Sequence, residues 1–369
     1  MIKKLIAQNI KCFDLQEFTI SPLTVFCGGN SVGKSTALQC LLLLRQSFNR
    51  DNFNSNEISL MGEYFSVGHA SDIIYHYAAE PEIAITIDQL SFRSSLDGMN
   101  REDYILPFNS LPNYEHDFFT ADFIYLSAER LGPRNSYEVS FDSNGFNTGV
   151  FGEFAMSEFI KRASTSAINQ DLVKLTCSSP VAPHERVDET SRADELTLEI
   201  AVKTVMRSIC PGFDIKYESH KTVDRVSNTY SSPFTKTSVR PINTGFGISY
   251  IFPIIVAAFC IERGGTFILE NPEVHLHPQA QAALSIFLAQ LSQTGIQVIL
   301  ETHSDHVINA MRVFSKDTNL QTDHIAINSI GRIDAKREVR LIRIDSDGNL
   351  SSHQEGFFDQ TEKDLLRLF

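Results

Sequence analysis

No run of apolar residues in this sequence is long enough to cross a bilayer. The longest, Ile248 to Ile261, holds 14 residues and is interrupted by Pro253, where a membrane span needs roughly 20, so it predicts a buried helix. Paired cysteines are missing too. Cys12, Cys27, Cys40, Cys177, Cys210 and Cys260 are scattered without a CxxC among them. Several lie in apolar runs where a thiol behaves as a small hydrophobe, and reduced, buried thiols fit that pattern. Met1 to Ile6 shows neither the apolar stretch nor the small-residue cleavage site of a signal peptide. The expectation is a cytoplasmic protein with no membrane contact.

Basic charge is scarce as well. The net charge is −13, and residues 51–130 hold 14 Asp/Glu against 3 Lys/Arg, whereas residues 1–50 hold 6 basic against 2 acidic. A broad nucleic-acid surface requires the opposite balance, because Lys and Arg neutralising phosphates supply most of that affinity. Any nucleic-acid contact must be local or brought by a partner.

What is present is an ordinary globular composition, 42% hydrophobic and 21% charged over 369 residues, enough for one large α/β domain with an insertion. Leu5 to Ile10, Phe18 to Ile20 and Leu23 to Phe26 read as strands, and Lys34 to Ser47 carries a leucine-rich helical pattern. Between residues 50 and 235 the signals are weaker: strands near Ile83 to Ile87, an apolar stretch at Asp122 to Leu126, helices near Glu153 to Lys174 and Asp194 to Ile209, and polar loops at Ser179 to Arg192 and Ser227 to Ser238. After residue 242 a glycine turn, the apolar helix, strand Thr266 to Leu269, a helix from Pro278 and strand Ile296 to Leu300 follow in order. Such alternation predicts an α/β fold with a mostly parallel sheet covered by helices on both faces. The division expected is a core split between residues 1–50 and 236–369, with a short C-terminal extension, and an α+β insertion at 51–235 of unassigned role.

Three segments carry chemistry. Gly28-Gly29-Asn30-Ser31-Val32-Gly33-Lys34-Ser35-Thr36 matches GxxxxGK[ST] between a strand and a helix, the setting in which backbone N–H groups and a helix N-terminus cradle phosphates. Gly28, Asn30, Ser31, Gly33, Lys34, Ser35 and Thr36 are therefore the candidate ATP-binding residues, with Lys34 reaching the β- and γ-phosphates and Ser35 placing its hydroxyl on Mg²⁺. The second segment is a buried strand ending Leu269-Glu270-Asn271-Pro272-Glu273, which supplies carboxylates for the metal and attacking-water side of such a site. The third, Leu300-Glu301-Thr302-His303-Ser304-Asp305, offers His303 as a donor to the γ-phosphate.

At these segments the sequence resembles the ABC-type ATPase heads of the RecF, SMC and OLD (overcoming lysogenization defect) group, most closely small bacterial ATPases of that group without a Toprim nuclease. The resemblance rests on the P-loop, on Glu270 to Pro278 and on Glu301 to Asp305, with further support from Tyr125 to Pro133 and from Thr244-Gly-Phe-Gly-Ile-Ser249. It implies a P-loop NTPase fold, ATP and Mg²⁺ as cofactors, and a homodimer that sandwiches ATP between heads. Gly245, Gly247 and Ser249 would act there as the turn that meets the partner's nucleotide, although the LSGGQ wording is not kept. Glu270 would join Ser35 at the metal, and Glu270, Asn271, Glu273, Lys34 and His303 would form the catalytic set. The usual strand ends Asp-Glu, whereas this one ends Glu270-Asn271, and an amide cannot accept a proton as a carboxylate does. Slow hydrolysis is expected, with Glu273 as the alternative base.

The resemblance further implies a dimeric switch that controls a separate effector or nucleic-acid-processing protein in bacterial antiphage defence. The alternatives are a non-hydrolysing ATP-bound scaffold and a RecF-like DNA-repair ATPase. Asp345-Ser346-Asp347 resembles the DxD of Toprim nucleases but sits in a turn signal before Gly348-Asn349, so a β-turn is the expected structure. His275, His277, His303 and His306 suggest a metal site only weakly, and His277 is expected to order the turn into the helix at Pro278.

Overall fold

A computed structural model describes residues 1–50, 57–98, 100, 102–110, 114–141, 145–177, 196–231, 237–333, 336–352, 363 and 366–368. In the first half of the chain the elements are β1 (Lys4–Ile10), β2 (Phe13–Thr19), β3 (Leu23–Gly28), α1 (Lys34–Arg50), β4 (Glu57–Ser59), α2 (Ala70–Ile73), β5 (Glu82–Ile87), β6 (Leu90–Ser95), β7 (Ile105–Pro107), α3 (Asp117–Thr120), β8 (Phe123–Leu126), β9 (Tyr137–Glu138), α4 (Ala155–Arg162) and α5 (Gln170–Cys177). There follow α6 (Leu198–Ile209), β10 (Asp214–His220), β11 (Arg225–Ser231), α7 (Phe246–Cys260), β12 (Thr266–Glu270), α8 (Pro278–Gln293), β13 (Gln297–Glu301), α9 (Asp305–Thr318), β14 (Ile325–Ile333) and β15 (Lys336–Arg343). The result is an α/β fold with a mixed, mostly parallel sheet flanked by helices.

The chain divides into two units: Met1–Ala121 with Ile299–Asp305 and Ser315–Phe369, and Asp122–Val298 with His306–Phe314. In the first, β2-β1-β5-β6 form an antiparallel sheet whose buried positions alternate along β1, with Leu5 and Ala7 inward, the period of a half-buried strand. The order β15-β14-β3-β13 builds the other sheet of this unit, with β3 parallel to β14 and β15 antiparallel at the edge. β3 is buried at every position along Leu23–Cys27 rather than alternately, as a strand covered on both faces requires. Helix α1 follows it, burying Leu38 and the four leucines Leu41 to Leu44.

In the second unit β8 and β12 pair in parallel, and β10-β11-β9 form a small antiparallel sheet. Its centre is α7, buried without a break from Ile251 to Cys260. A helix apolar all round belongs in a core, and α7 packs against α4, α5 and α6. Pro253 lies inside it, and Gly152, at φ +74°, sits so near that a Cβ there would be 2.7 Å from the proline ring.

One expectation changes. The segment from Ser227, expected as a polar loop to Ser238, opens as the end of β11, where Val226, Asn228 and Tyr230 alternate inward. The expected loop Ser179 to Arg192 lies outside the described residues. Asp345 does make a turn: its carboxylate accepts from the N–H groups of Asp347 (2.9 Å) and Asn349 (2.7 Å).

Candidate nucleotide site

In the first unit the glycines fix the loop between β3 and α1. Gly28 has φ +134°, and a Cβ on it would lie 2.1 Å from the Ile330 carbonyl oxygen of β14. Gly33 has φ +119°, and its Cβ would meet Phe13 at 2.6 Å and Cys12 at 2.7 Å. Only glycine fits positions that combine a left-handed backbone with such crowding. Ser31 is also left-handed, at φ +60°. The exposed side chain of Arg337, from β15, ties down the outer edge by donating to the carbonyls of Val32 (3.0 Å) and Cys12 (3.1 Å).

This loop opens on a cavity of about 290 Å³ lined by Asn30, Ser31, Gly33, Lys34, Ser35 and Thr36, together with Glu301 and His303. Lys34 Nζ donates to the Gly29 carbonyl at 2.7 Å and lies 3.8 Å from Glu301 Oε1. Burial holds the ammonium below its ordinary pKa, and the Glu301 charge partly restores it. Ser35 Oγ donates to Glu301 Oε2 at 2.9 Å. The Glu301 side chain is only 6% exposed, while His303, 39% exposed, brings Nε2 to 3.9 Å from the same carboxylate. A lysine, a hydroxyl and helix N-terminal amides around one concavity suit a phosphate chain, and the hydroxyl beside a carboxylate suits a hard cation with oxygen ligands.

In the second unit Glu270 ends β12. Its carboxylate accepts from Tyr125 Oη (3.0 Å) and from the Ala128 N–H (3.3 Å). Burial raises its pKa above the usual carboxylate range, against the pull of these hydrogen bonds and of Arg130. Asn271 follows with a left-handed φ of +42°, and among the described residues its buried Oδ1 has no hydrogen-bond partner. Arg130, 1% exposed, holds this turn. It donates to the carbonyls of Ser127 and Glu270 (2.7 Å each) and Asn271 (2.8 Å), and lies over the Tyr250 ring at 5.7 Å. Burial lowers the guanidinium to about 10, with Glu273 the largest opposing charge. Glu273 is itself buried.

Gly247, in the first turn of α7, lies against the same segment. A Cβ on Gly247 would stand 3.2 Å from the His275 carbonyl and 3.1 Å from Leu276, while His275 packs on Phe246 and Tyr250. Gly245 is exposed and caps the helix. Ser249 is not at this surface: it is 4% exposed and lines an inner cavity with Tyr137 and Tyr230. His277 caps α8, its Nδ1 accepting from the Gln279 N–H at 3.3 Å.

A family model described as an AAA ATPase domain matches residues 1–189 and 193–308. The chain belongs to this AAA ATPase family. A second model, described only as a protein of unknown function, matches residues 320–368 of the ATPase chain. No curated protein is matched. Among solved structures the AAA ATPase chain is similar to an Smc head bound to the C-winged helix domain of ScpA, at 13% identity and a TM-score of 0.50, with 93% of this chain and 98% of that one covered. It is also similar to an Smc head with an extended coiled coil bound to the C-terminal domain of ScpA from Pyrococcus furiosus, at 12% identity and a TM-score of 0.50, covering 100% and 99%. These likenesses show the fold of an Smc-type head. Three residues of the ATPase chain carry contacts to which the sequence assigned no role: Glu301 at the P-loop, Arg130 under the β12 turn and Arg337 at the loop's edge. The first two stood inside motifs already quoted; Arg337 left no signal.

Proposed function

We propose that this chain binds ATP with Mg²⁺ through Gly28 to Thr36 and hydrolyses it slowly, acting as a dimeric switch whose closed state is favoured by nucleotide. The observation that carries the reading is the P-loop cavity, with Lys34 and Ser35 turned toward one concavity at the start of α1. Bound Mg²⁺ would neutralise phosphate charge and orient the γ-phosphate. Lys34 would hold the phosphate oxygens and Ser35 the cation, and His303 supplies a further donor at the cavity.

Slow turnover follows from Asn271. It stands where a carboxylate would take a proton from water, and an amide has no such capacity at neutral pH. Glu273 is supported less as a substitute, since it is buried against the Arg130 charge. Glu270 is the remaining acid–base group of this turn, and Gly245 and Gly247 are the exposed and half-buried turn proposed to meet a second head. The resemblance to the OLD group supports control of a separately encoded effector in antiphage defence.

ATP-dependent association and phosphate release, measured by light scattering and a coupled assay on wild type and Lys34→Ala, test this. Expected are ATP-dependent dimers and slow release from wild type, both lost in the variant. A Lys34→Ala protein that dimerises with full ATP affinity sinks the switch. Binding without any phosphate release points to an ATP-held scaffold.

A further inference from the structure

We propose that Glu301 is the P-loop's own carboxylate for the divalent cation, placed through Ser35 and distinct from the Glu270 carboxylate of the β12 turn. This rests on the ATP-binding reading above and adds a residue to it.

The placement is built by the fold of the first unit. Glu301 is the last residue of β13, a strand buried along its whole length, and the Thr302 N–H that follows donates to the Phe26 carbonyl of β3 at 3.0 Å. Thr302 is fully buried and its Oγ1 accepts from the Ser304 N–H at 3.0 Å. The strand end is thereby fixed beside the P-loop. One carboxylate oxygen takes the Ser35 hydroxyl at 2.9 Å, and the other lies 3.8 Å from Lys34 Nζ. Both of those atoms are the ones a P-loop offers to phosphate and metal.

A buried anion in a phosphate cradle is otherwise a liability. When Lys34 and Ser35 turn to a nucleotide, the Glu301 charge faces phosphate oxygens at short range, and like charges in a poorly solvated site repel strongly. A divalent cation removes the conflict by taking oxygens from both sides, and Mg²⁺ is characteristically held by one or two carboxylates together with phosphates. The Ser35 hydroxyl, one hydrogen bond from Glu301, is already aligned for that exchange. The Glu270 carboxylate is engaged differently, by Tyr125 and the Ala128 N–H.

The test is a titration of fluorescent ATP against wild type, Glu301→Gln and Glu301→Asp, each in excess EDTA and in excess Mg²⁺, with bound Mn²⁺ counted by electron paramagnetic resonance in the presence of ADP. Wild type is expected to bind more tightly with Mg²⁺. Glu301→Gln is expected to lose about 10–100-fold of that Mg²⁺-dependent gain, the usual cost of a missing group around a metal, while binding ATP in EDTA at least as well as wild type. It also loses bound Mn²⁺, and Glu301→Asp recovers part of both. Thermal unfolding of each variant reports that it folds. A Glu301→Gln protein that keeps the full Mg²⁺ gain overturns the assignment, as does one that tightens ATP equally in EDTA and Mg²⁺, which marks plain repulsion. Failure of wild type to bind ATP in either condition instead removes the nucleotide reading itself.

Discussion

Replacing Arg130 with methionine keeps most of the side-chain bulk and removes the charge and its donors. Three main-chain carbonyls, of Ser127, Glu270 and Asn271, then lose hydrogen bonds of 2.7 to 2.8 Å. An acceptor stranded in the interior costs about 1–3 kcal/mol. Those three residues are half-buried, so water reaches them in part and about 1 kcal/mol each applies, or about 3 kcal/mol together. Glu273 and Glu270 also lose the cation they face. The expectation for Arg130→Met is therefore a loss of about 3 kcal/mol in the unfolding free energy of the second unit, read by urea denaturation. A loss below about 1 kcal/mol refutes the assignment of Arg130 as the support of the β12 turn. Because Arg130 shapes the Glu270–Asn271 turn, phosphate release should fall further than ATP affinity, and an equal fall in both argues instead for general damage.

Gly28→Ala is expected to abolish ATP binding, since the new Cβ meets the Ile330 carbonyl at 2.1 Å and the left-handed backbone adds about 1–3 kcal/mol of strain. Gly29→Ala, whose Cβ meets only Val32 at 3.8 Å, is the matched control and should bind ATP normally in the same calorimetric titration. The raised Glu270 pKa means that the folded state holds this proton more tightly than the unfolded chain, so stability falls as pH rises from the ordinary glutamate value of about 4.3 through the raised one. Glu270→Gln should flatten that slope in thermal unfolding scanned from acid to neutral pH; an unchanged slope sinks the claim. Asn271→Asp should raise phosphate release, because aspartate supplies a carboxylate and tolerates the φ of +42°, whereas glutamate there pays the left-handed cost of about 1–2 kcal/mol. Slower release from Asn271→Asp with intact ATP binding would count against a base at this position.

Local patterns were legible where period and burial agree. The strand–P-loop–helix unit shows in the sequence because β3 and α1 are buried on the faces their apolar residues mark, and α7 shows because it is apolar all round. Strand β2 begins at Phe13 rather than near Phe18 because its outer face, with Leu15 at 66% exposure, does not alternate cleanly. The β14–β15 hairpin escaped notice as its edge strand carries Arg337, Arg340 and Arg343, charges that protect an edge and hide its period. The site contacts that were missed join residues far apart in sequence. Ser35 meets Glu301 across 266 positions and Arg130 meets Glu270 across 140, and no local spacing encodes either.

Each unit ends a buried strand on a glutamate, and the two have different neighbours. Glu301 stands against an ammonium and a hydroxyl. Glu270 stands in a pocket whose burial favours its proton, with Tyr125 and the Ala128 amide pulling the other way. On the nucleotide-binding reading proposed above, Glu270 is the titratable carboxyl of the β12 turn. The amide of Asn271 is consistent with that role: a second carboxylate beside Glu270 would raise its pKa further, so a neutral neighbour keeps Glu270 nearer the range in which it can still ionise. On this account the departure from the Asp-Glu ending trades a base at position 271 for a titratable one at 270, and the Asn271→Asp variant should show its gain in turnover together with an upward shift in the pH at which that gain appears.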